Sequence, residues 1–276
     1  MVKEEIARLM REEKIELFSF LSLDECRIKK KYLLDRVGIS RGSVIIMAVP
    51  YASSDLGKGN ISEYAKGRDY HIYFSSLFER MTKRLADFYP DNRFAGFSDH
   101  SPIDEIHAAA LAGLGVIGQN RLLLTEKYSS FVFLGELITD LQIDSDAREI
   151  EYCQGCEKCL RACPSRGACL SSITQKKGTL EEWERELIRS CSTAWGCDLC
   201  QLVCPYTLRA IENQTLYTSV PFFLDRRIGS LTHRDVASMS DGHFAERAYS
   251  WRGRETILRN LAILEACSDT DKNEKN

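Results

Sequence analysis

Apolar residues recur at helical spacing from the start of the chain. Ile6, Leu9 and Met10 share one face of residues 2–13, which predicts an amphipathic helix. The run Leu17 to Leu21 predicts a short strand, and Arg27 to Val37 a basic helix that stops at Gly38. Ser43 to Val49 (SVIIMAV) is uncharged, rich in β-branched residues and closed by Pro50, the pattern of a strand covered on both faces. A longer helix is predicted from about His71 to Tyr89, with Phe74, Leu77, Met81 and Leu85 on one face. A strand from Arg93 to Phe97 follows. Ser101 reads as an N-cap, with Pro102 and Asp104 suited to the first and third helical positions, so a helix is expected from there to Ala112, ending at Gly113. Leu122 to Leu124 and Phe131 to Leu141 read as strands. Alternating strand and helix patterns predict an α/β (α+β) layer.

The second half is patterned differently. A short helix is expected around Glu157 to Ala162. Thr179 and Glu182 read as a capping box for a helix from Leu180 to Arg189, and Asp198 to Val203 as another short helix. The chain then looks loop-rich from Pro205 to Asp241. Phe244 to Ala266 is again helical in spacing, and the polar end SDTDKNEKN is expected to be disordered.

Composition adds limits. A chain of 276 residues can bury a sizeable core, and 28% charged with 44% hydrophobic residues is ordinary for a globular protein. The net charge of −3 gives no overall pull toward nucleic acid or membrane. Lys29, Lys30 and Lys31 read as a solvated face. No apolar run reaches the roughly 20 residues of a membrane span, and the charged opening MVKEEIARLMREEK is unlike a signal peptide. A cytoplasmic protein without a membrane partner is therefore expected, and there 11 cysteines point to metal rather than disulfides.

The cysteines carry the sharpest signal. Cys153, Cys156, Cys159 and Cys163 spell C-x2-C-x2-C-x3-C before Pro164, and Cys197, Cys200 and Cys204 spell C-x2-C-x3-C before Pro205, with Cys191 just upstream. This is the ferredoxin spacing, in which three close thiolates hold one iron–sulfur cluster and the fourth reaches another. Eight thiolates suffice for two 4Fe–4S clusters. A tetrahedral zinc site needs four ligands and leaves the extra cysteine of each run unexplained. The loop Gly113 to Asn120 (GLGVIGQN) lacks the strand and helix of a dinucleotide fingerprint, and reads as backbone that approaches a flat ligand or another strand.

Several stretches together resemble the epoxyqueuosine reductases. They are Tyr64 to His71 (YAKGRDYH), Ser98-Asp99-His100-Ser101-Pro102 with Glu105, Ala112 to Asn120, Phe131 to Leu137 (FVFLGEL), and the cysteine runs. A more distant similarity is to the reductive dehalogenases. The resemblance implies a cobalamin-dependent reductase with two 4Fe–4S clusters that removes the epoxide oxygen of epoxyqueuosine in tRNA, the last step of queuosine formation, or acts on a related small-molecule substrate. It implies an α/β cobalamin- and substrate-binding module (residues 1–148), a ferredoxin-like module (149–210), a C-terminal loop and helix segment (211–267) and the tail (268–276). It puts Cys153, Cys156, Cys159 and Cys204 on one cluster and Cys163, Cys191, Cys197 and Cys200 on the other, leaving Cys26, Cys169 and Cys267 as plain thiols. Asp99 falls on the proton donor, while Arg68, Tyr70, Gly115, Gly118 and Asn120 fall along the cobalamin side. A helix N-terminus favours Asp99 as the anion, whereas a general acid must hold a proton, so burial by corrin and substrate is expected to offset the helix. A low-potential donor such as ferredoxin or flavodoxin is the implied electron source.

The chain also departs from that pattern. Ile106 stands where the family has an arginine and Gln119 where it has a lysine. Only Ser192 to Gly196 separate Cys191 from the second CxxC, where the family has a longer segment. One helix, Arg252 to Ala266, matches the start of the family's helical-repeat region, so tRNA binding is expected to be weak and strongly salt-dependent. The competing reading is a two-cluster electron-transfer protein serving a corrinoid or other redox partner; it needs no pocket around Asp99.

Overall fold

A computed structural model describes residues 2–165 and 167–273, with side chains as far as Glu265 and Ala266 in the last helix. The fold is mixed α/β, in two compact units whose segments interleave along the chain. The first comprises 1–51, 70–156 and 209–216, and the second 52–69, 157–208 and 217–276.

The first unit is built on an antiparallel sheet ordered β1-β2-β6-β3. Its parts are α1 (Val2–Glu12), β1 (Leu17–Ser22), α2 (Lys31–Val37) and β2 (Ser43–Pro50), then α4 (Tyr70–Phe88), β3 (Phe94–Phe97), α5 (Glu105–Leu111), β4 (Val116–Ile117), β5 (Leu123–Leu124) and β6 (Val132–Thr139). Residues Ser43 to Val49 of β2 are all buried, as the uncharged run predicts. The register sets Ile46 of β2 and Phe97 of β3 on either side of Glu136 in β6.

Alternation along β6 sends successive side chains to opposite faces. Gly135 lies under Phe74 of α4, and Gly96 of β3 under Phe78; a Cβ at either glycine would overlap the ring. These glycines let α4 settle close to the sheet. The other face carries Leu134 and Ile138 into a core with Ala108, Ala109 and Ala110 of α5. Glu136 projects from that same face, so an acid stands in an apolar layer.

Two helix starts differ from the sequence expectation. The basic helix begins at Lys31 rather than Arg27, because residues 27–30 run extended beside 102–104. Ile28 bridges Ile103, and the Lys29 and Lys30 amides both donate to the Pro102 carbonyl. Ser101 is not an N-cap: α5 starts at Glu105, capped by Asp104, whose side chain accepts from the His107 amide at 3.3 Å. The Ser101 hydroxyl donates to Glu136 instead.

The second unit is helical: α3 (Glu63–Lys66), α6 (Lys158–Ala162), α7 (Leu170–Thr174), α8 (Glu182–Ser190), α9 (Leu199–Leu202), α11 (Pro221–Leu224), α12 (His233–Ser238), α13 (Asp241–Ala245) and α14 (Arg254–Asn273). α10 (Pro205–Glu212) crosses the division. The stretch expected to be loop from Pro205 to Asp241 therefore holds three short helices. The capping box of α8 is Glu181 with Glu184, not Thr179 with Glu182. The expected disordered tail is helical as far as Asn273, and 274–276 lie outside the described residues. The core gathers Trp195, Tyr249, Ile257 and Leu261. Asn260 of α14, fully buried, donates to the Thr174 and Ala194 carbonyls at 2.7 and 2.8 Å, tying α14 to α7 and to the strand-like segment before Cys197. Among the described residues no helix is long and apolar enough to cross a membrane.

Candidate active site

In the first unit Asp99 sits at the tip of the turn between β3 and α5, with φ of 62°, in the left-handed region that aspartate tolerates better than most side chains. Its amide donates to Glu105 Oε1 at 3.1 Å. Its carboxylate is 70% exposed and lies 3.8 Å from His71 Nε2 at the start of α4. The chain itself does not bury Asp99, so any apolar cover over its carboxylate has to come from a bound molecule. Beside it, His100 meets the Lys30 ammonium at 3.2 Å and the Tyr32 hydroxyl at 2.9 Å.

Beneath the turn lie two acids. Burial pushes the Glu105 carboxyl up to about 7, with the Asp99 charge adding to the rise and the Asp99 amide opposing it. Burial also holds Glu136 well above the ordinary carboxylate range, and the Glu105 charge adds to this. The two carboxyls are close enough for each to act on the other, and Glu136 Oε2 is buried with no donor among the described residues, a place for a shared proton. Sequence reasoning named Glu105 only as part of a motif and Glu136 not as a site residue. The one available signal was a glutamate inside an otherwise apolar strand run, FVFLGEL.

Of the residues expected along the cofactor, Tyr70 stacks on His71 and Phe133 with ring centroids 4.1 and 4.3 Å apart, all in the first unit. Gly115 serves the β4–β5 hairpin, since a Cβ there would overlap the Leu124 carbonyl. Of the two readings of this loop, close approach to another strand is the one the backbone accounts for. Gly118 similarly makes room for Asn120 Oδ1, which accepts from the Leu122 amide at 3.3 Å. The Asn120 Nδ2 donor is buried without a protein partner. In the second unit, Arg68 lies over the Phe222 ring at 4.7 Å and reaches Glu246 at 3.5 Å, with its Nε buried and unpartnered. In the first unit, the orphaned Asn120 donor fits a ligand rich in amide and phosphate acceptors.

The cysteines divide between the units. Cys153 follows a bridge between Ile117 and Tyr152, and its sulfur accepts from the Gln119 amide of the glycine loop at 3.4 Å. Backbone donors to cluster sulfurs are one of the levers on cluster potential. In the second unit, Cys163 closes α6, Cys169 caps α7, Cys191 ends α8, and Cys197, Cys200 and Cys204 surround α9. Burial pushes the Cys197 thiol up to about 11 and Cys200 to about 12. Cys169 is near enough for its charge to act on both of these thiols, and Cys191 is near enough to act on Cys197. The sequence reading had set Cys169 aside. A soft, thiolate-only donor set of this size fits iron–sulfur clusters. Among the described residues no three Cys, His, Asp or Glu side chains are grouped for a single metal ion, and a cubane spreads its thiolates more widely than one ion does.

Comparison with known proteins converges on one group. The family model described as "Epoxyqueuosine reductase QueG, DUF1730" matches residues 36–100, the segment that ends on the Asp99 turn. The epoxyqueuosine reductase of Gloeobacter violaceus is 34% identical over 217 residues, covering 73% of this chain and 68% of the relative. The solved epoxyqueuosine reductase of Streptococcus thermophilus superposes with a TM-score of 0.78 at 24% identity, over 95% of this chain and 80% of its own. An epoxyqueuosine reductase solved with an epoxyqueuosine-modified tRNA-Tyr stem loop gives 0.75 at 23% identity, with the same coverage. The chain belongs to the epoxyqueuosine reductase family and is an oxidoreductase.

Proposed function

We propose that this protein reduces the epoxide of epoxyqueuosine in tRNA to the alkene, releasing the oxygen as water. The overall change takes up two electrons and two protons. The observation that carries this reading is the Asp99 turn. It presents an open carboxylate beside His71 at the end of the segment that matches the family model. A tRNA stem loop is the ligand of one relative of the same fold, which supports tRNA over a free small molecule.

On this reading the first unit is the cobalamin and substrate module, and the cysteine-bearing part of the second is a ferredoxin-like module. Tyr70 offers a flat face, and Asn120 an unpaired donor, for the periphery of a corrin. Bound cobalamin supplies a cobalt that can deliver an electron pair to the substrate, and the clusters supply electrons one at a time. Asp99 holds the proton destined for the epoxide oxygen, and His71 at 3.8 Å is placed to return one to its carboxylate. For the first cluster the spacing remains the guide: Cys153, Cys156 and Cys159 with Cys204. For the second, Cys163, Cys197 and Cys200 take Cys169 as the fourth thiolate in preference to Cys191, because Cys169 acts on both Cys197 and Cys200. Cys169 also restores the longer interval before the second CxxC that Cys191 lacks. A low-potential ferredoxin or flavodoxin is the proposed donor, in the cytoplasm.

The test is anaerobic reconstitution with iron, sulfide and cobalamin, followed by single-turnover deoxygenation of epoxyqueuosine in a tRNA stem loop. Asp99→Asn is expected to retain corrin absorbance and lose turnover by about 100-fold or more, the usual scale for a general acid. Loss of corrin absorbance from the native protein on desalting would instead favour the electron-transfer reading, and unchanged turnover in the variant would remove Asp99 from the mechanism.

A further inference from the structure

The pair of buried acids under the Asp99 turn has no place in the reduction as described, yet it grips that turn on both sides. Glu105 accepts the Asp99 main-chain amide at 3.1 Å, and Glu136 accepts the Ser101 hydroxyl. The same hydroxyl accepts from the Ile103 amide at 3.0 Å, so the strand, the turn and the start of α5 are joined through two carboxyls. Glu136 lies fully buried in β6 between Ile46 and Phe97, and its second oxygen finds no donor in the protein apart from what the neighbouring carboxyl offers. We propose that Glu105 and Glu136 share one proton and act together as a latch, positioning residues that hold the Ser98–Ser101 turn, and with it Asp99, in its reactive conformation.

The physical case rests on what each charge state can do. With one proton between them, Glu136 donates to Glu105, and the free Glu105 oxygen stays an acceptor for the Asp99 amide. Left-handed backbone at a residue with a side chain is strained and persists only where its surroundings hold it. The Glu105 acceptor is one such hold. When the shared proton leaves, two anions stand in contact in an apolar layer, a state that low dielectric makes costly. The economical relief is for Glu105, the less buried of the two, to swing outward and release the amide. The other charges that face the pair are few: Lys30, from the segment before α2, favours the anion of Glu105; the Asp99 carboxylate opposes it; and Cys26, whose thiol is pushed up to about 12, feels the charge of Glu136. His71, His100, Asp104 with its Lys29 partner, and His107 also lie around the turn. Among the described residues no cation acts on Glu136 in place of the proton.

The proposal rests on Asp99 as proton donor, and the test separates the two. The pH profile of single-turnover deoxygenation is measured on the reconstituted protein for the native sequence, Glu136→Gln, Glu105→Gln and Asp99→Asn. The native rate is expected to fall on the alkaline side, above the Glu105 value of about 7, once Glu136 gives up the shared proton. In Glu136→Gln the amide always donates, so the alkaline fall should move up by about one pH unit or more, with KM little changed. Glu105→Gln keeps an acceptor for the Asp99 amide and should behave likewise. An unaltered alkaline limb in both glutamine variants overturns the latch, while an inactive Asp99→Asn leaves the donor reading standing. If Asp99→Asn is active, the donor reading fails, and the latch is then judged by infrared difference spectra between about pH 5.5 and 8.5. The native protein should keep the band of a protonated carboxyl at the alkaline end of that interval, where Glu105 has ionised and Glu136 holds the shared proton, and Glu136→Gln should not. Absence of the band from the native protein overturns the latch even if the glutamine variants fail to fold.

Discussion

Cys169 shows how much a single position can change a site. It stands apart from both cysteine runs in the sequence, and the family resemblance put Cys191, closer to the second run, in its place. In the structure Cys169 stands at the start of α7, near enough for its charge to act on Cys197 and Cys200, while Cys191 ends α8 and acts on Cys197. The expected outcome is specific. After anaerobic reconstitution the native protein should carry about eight irons, as two cubanes require, and Cys169→Ser about half of that. Cys191→Ser should retain nearly the native content. The opposite ranking of the two variants would return Cys191 to the cluster. Electron paramagnetic resonance of the dithionite-reduced protein adds a second readout, because a cluster with one serine ligand that still assembles has an altered signal.

At the scale of elements, periodicity was enough wherever an element has a long apolar face. α1, α4, β1, β2 and β6 all appear where the spacing predicts them, because burial of those faces is what stabilises them. The misreadings share a physical cause. α10, α11 and α12 are too short to hold together on their own, so their existence depends on packing that a local window does not contain. Ser101 has the chemistry of an N-cap but spends its hydroxyl on Glu136, a partner far along the chain. The buried acid pair was invisible for the same reason, since nothing local joins Glu105 to Glu136. One element-level feature was present in the sequence and undervalued: Gly96 and Gly135, inside strand patterns, mark where α4 lies close to the sheet. Gly135→Ala puts a methyl group into the Phe74 ring, itself fully buried. Overpacking of this kind costs about 1–3 kcal/mol. The urea midpoint, followed by circular dichroism, should fall accordingly, and a midpoint equal to the native one would mean that α4 can retreat from the sheet without loss.

For the whole molecule the acid pair has a consequence for stability that is independent of any reaction. Glu105, pushed up to about 7 from an ordinary 4.5, and Glu136, raised well above the same value, keep protons in the native state that the unfolded chain releases. Across the window from about pH 4.5 to about 7 the native state therefore binds more protons, and stability must fall as pH rises. Asp198, raised by its burial in the second unit, pulls the same way there. His107 opposes: burial lowers it from 6.5, so it adds stability as pH rises, but it is mostly solvated and its share is small. Asp104, Asp140 and Asp146, all lowered from 3.8 by hydrogen bonds and neighbouring cations, contribute stability that is present above that value and lost only in stronger acid. The sum puts the stability maximum of the first unit on the acid side of neutrality. Amides of β2 and β6 report the opening of that unit by hydrogen exchange, once intrinsic rates are corrected for pH. Their protection should decline between about pH 5 and about 8 in the native protein and decline less in Glu136→Gln, where Glu105 is the one acid of the pair with a proton left to lose. Protection that rises through neutrality in the native protein would mean that the two carboxyls ionise in place without strain, and that the apolar layer around Glu136 tolerates charge.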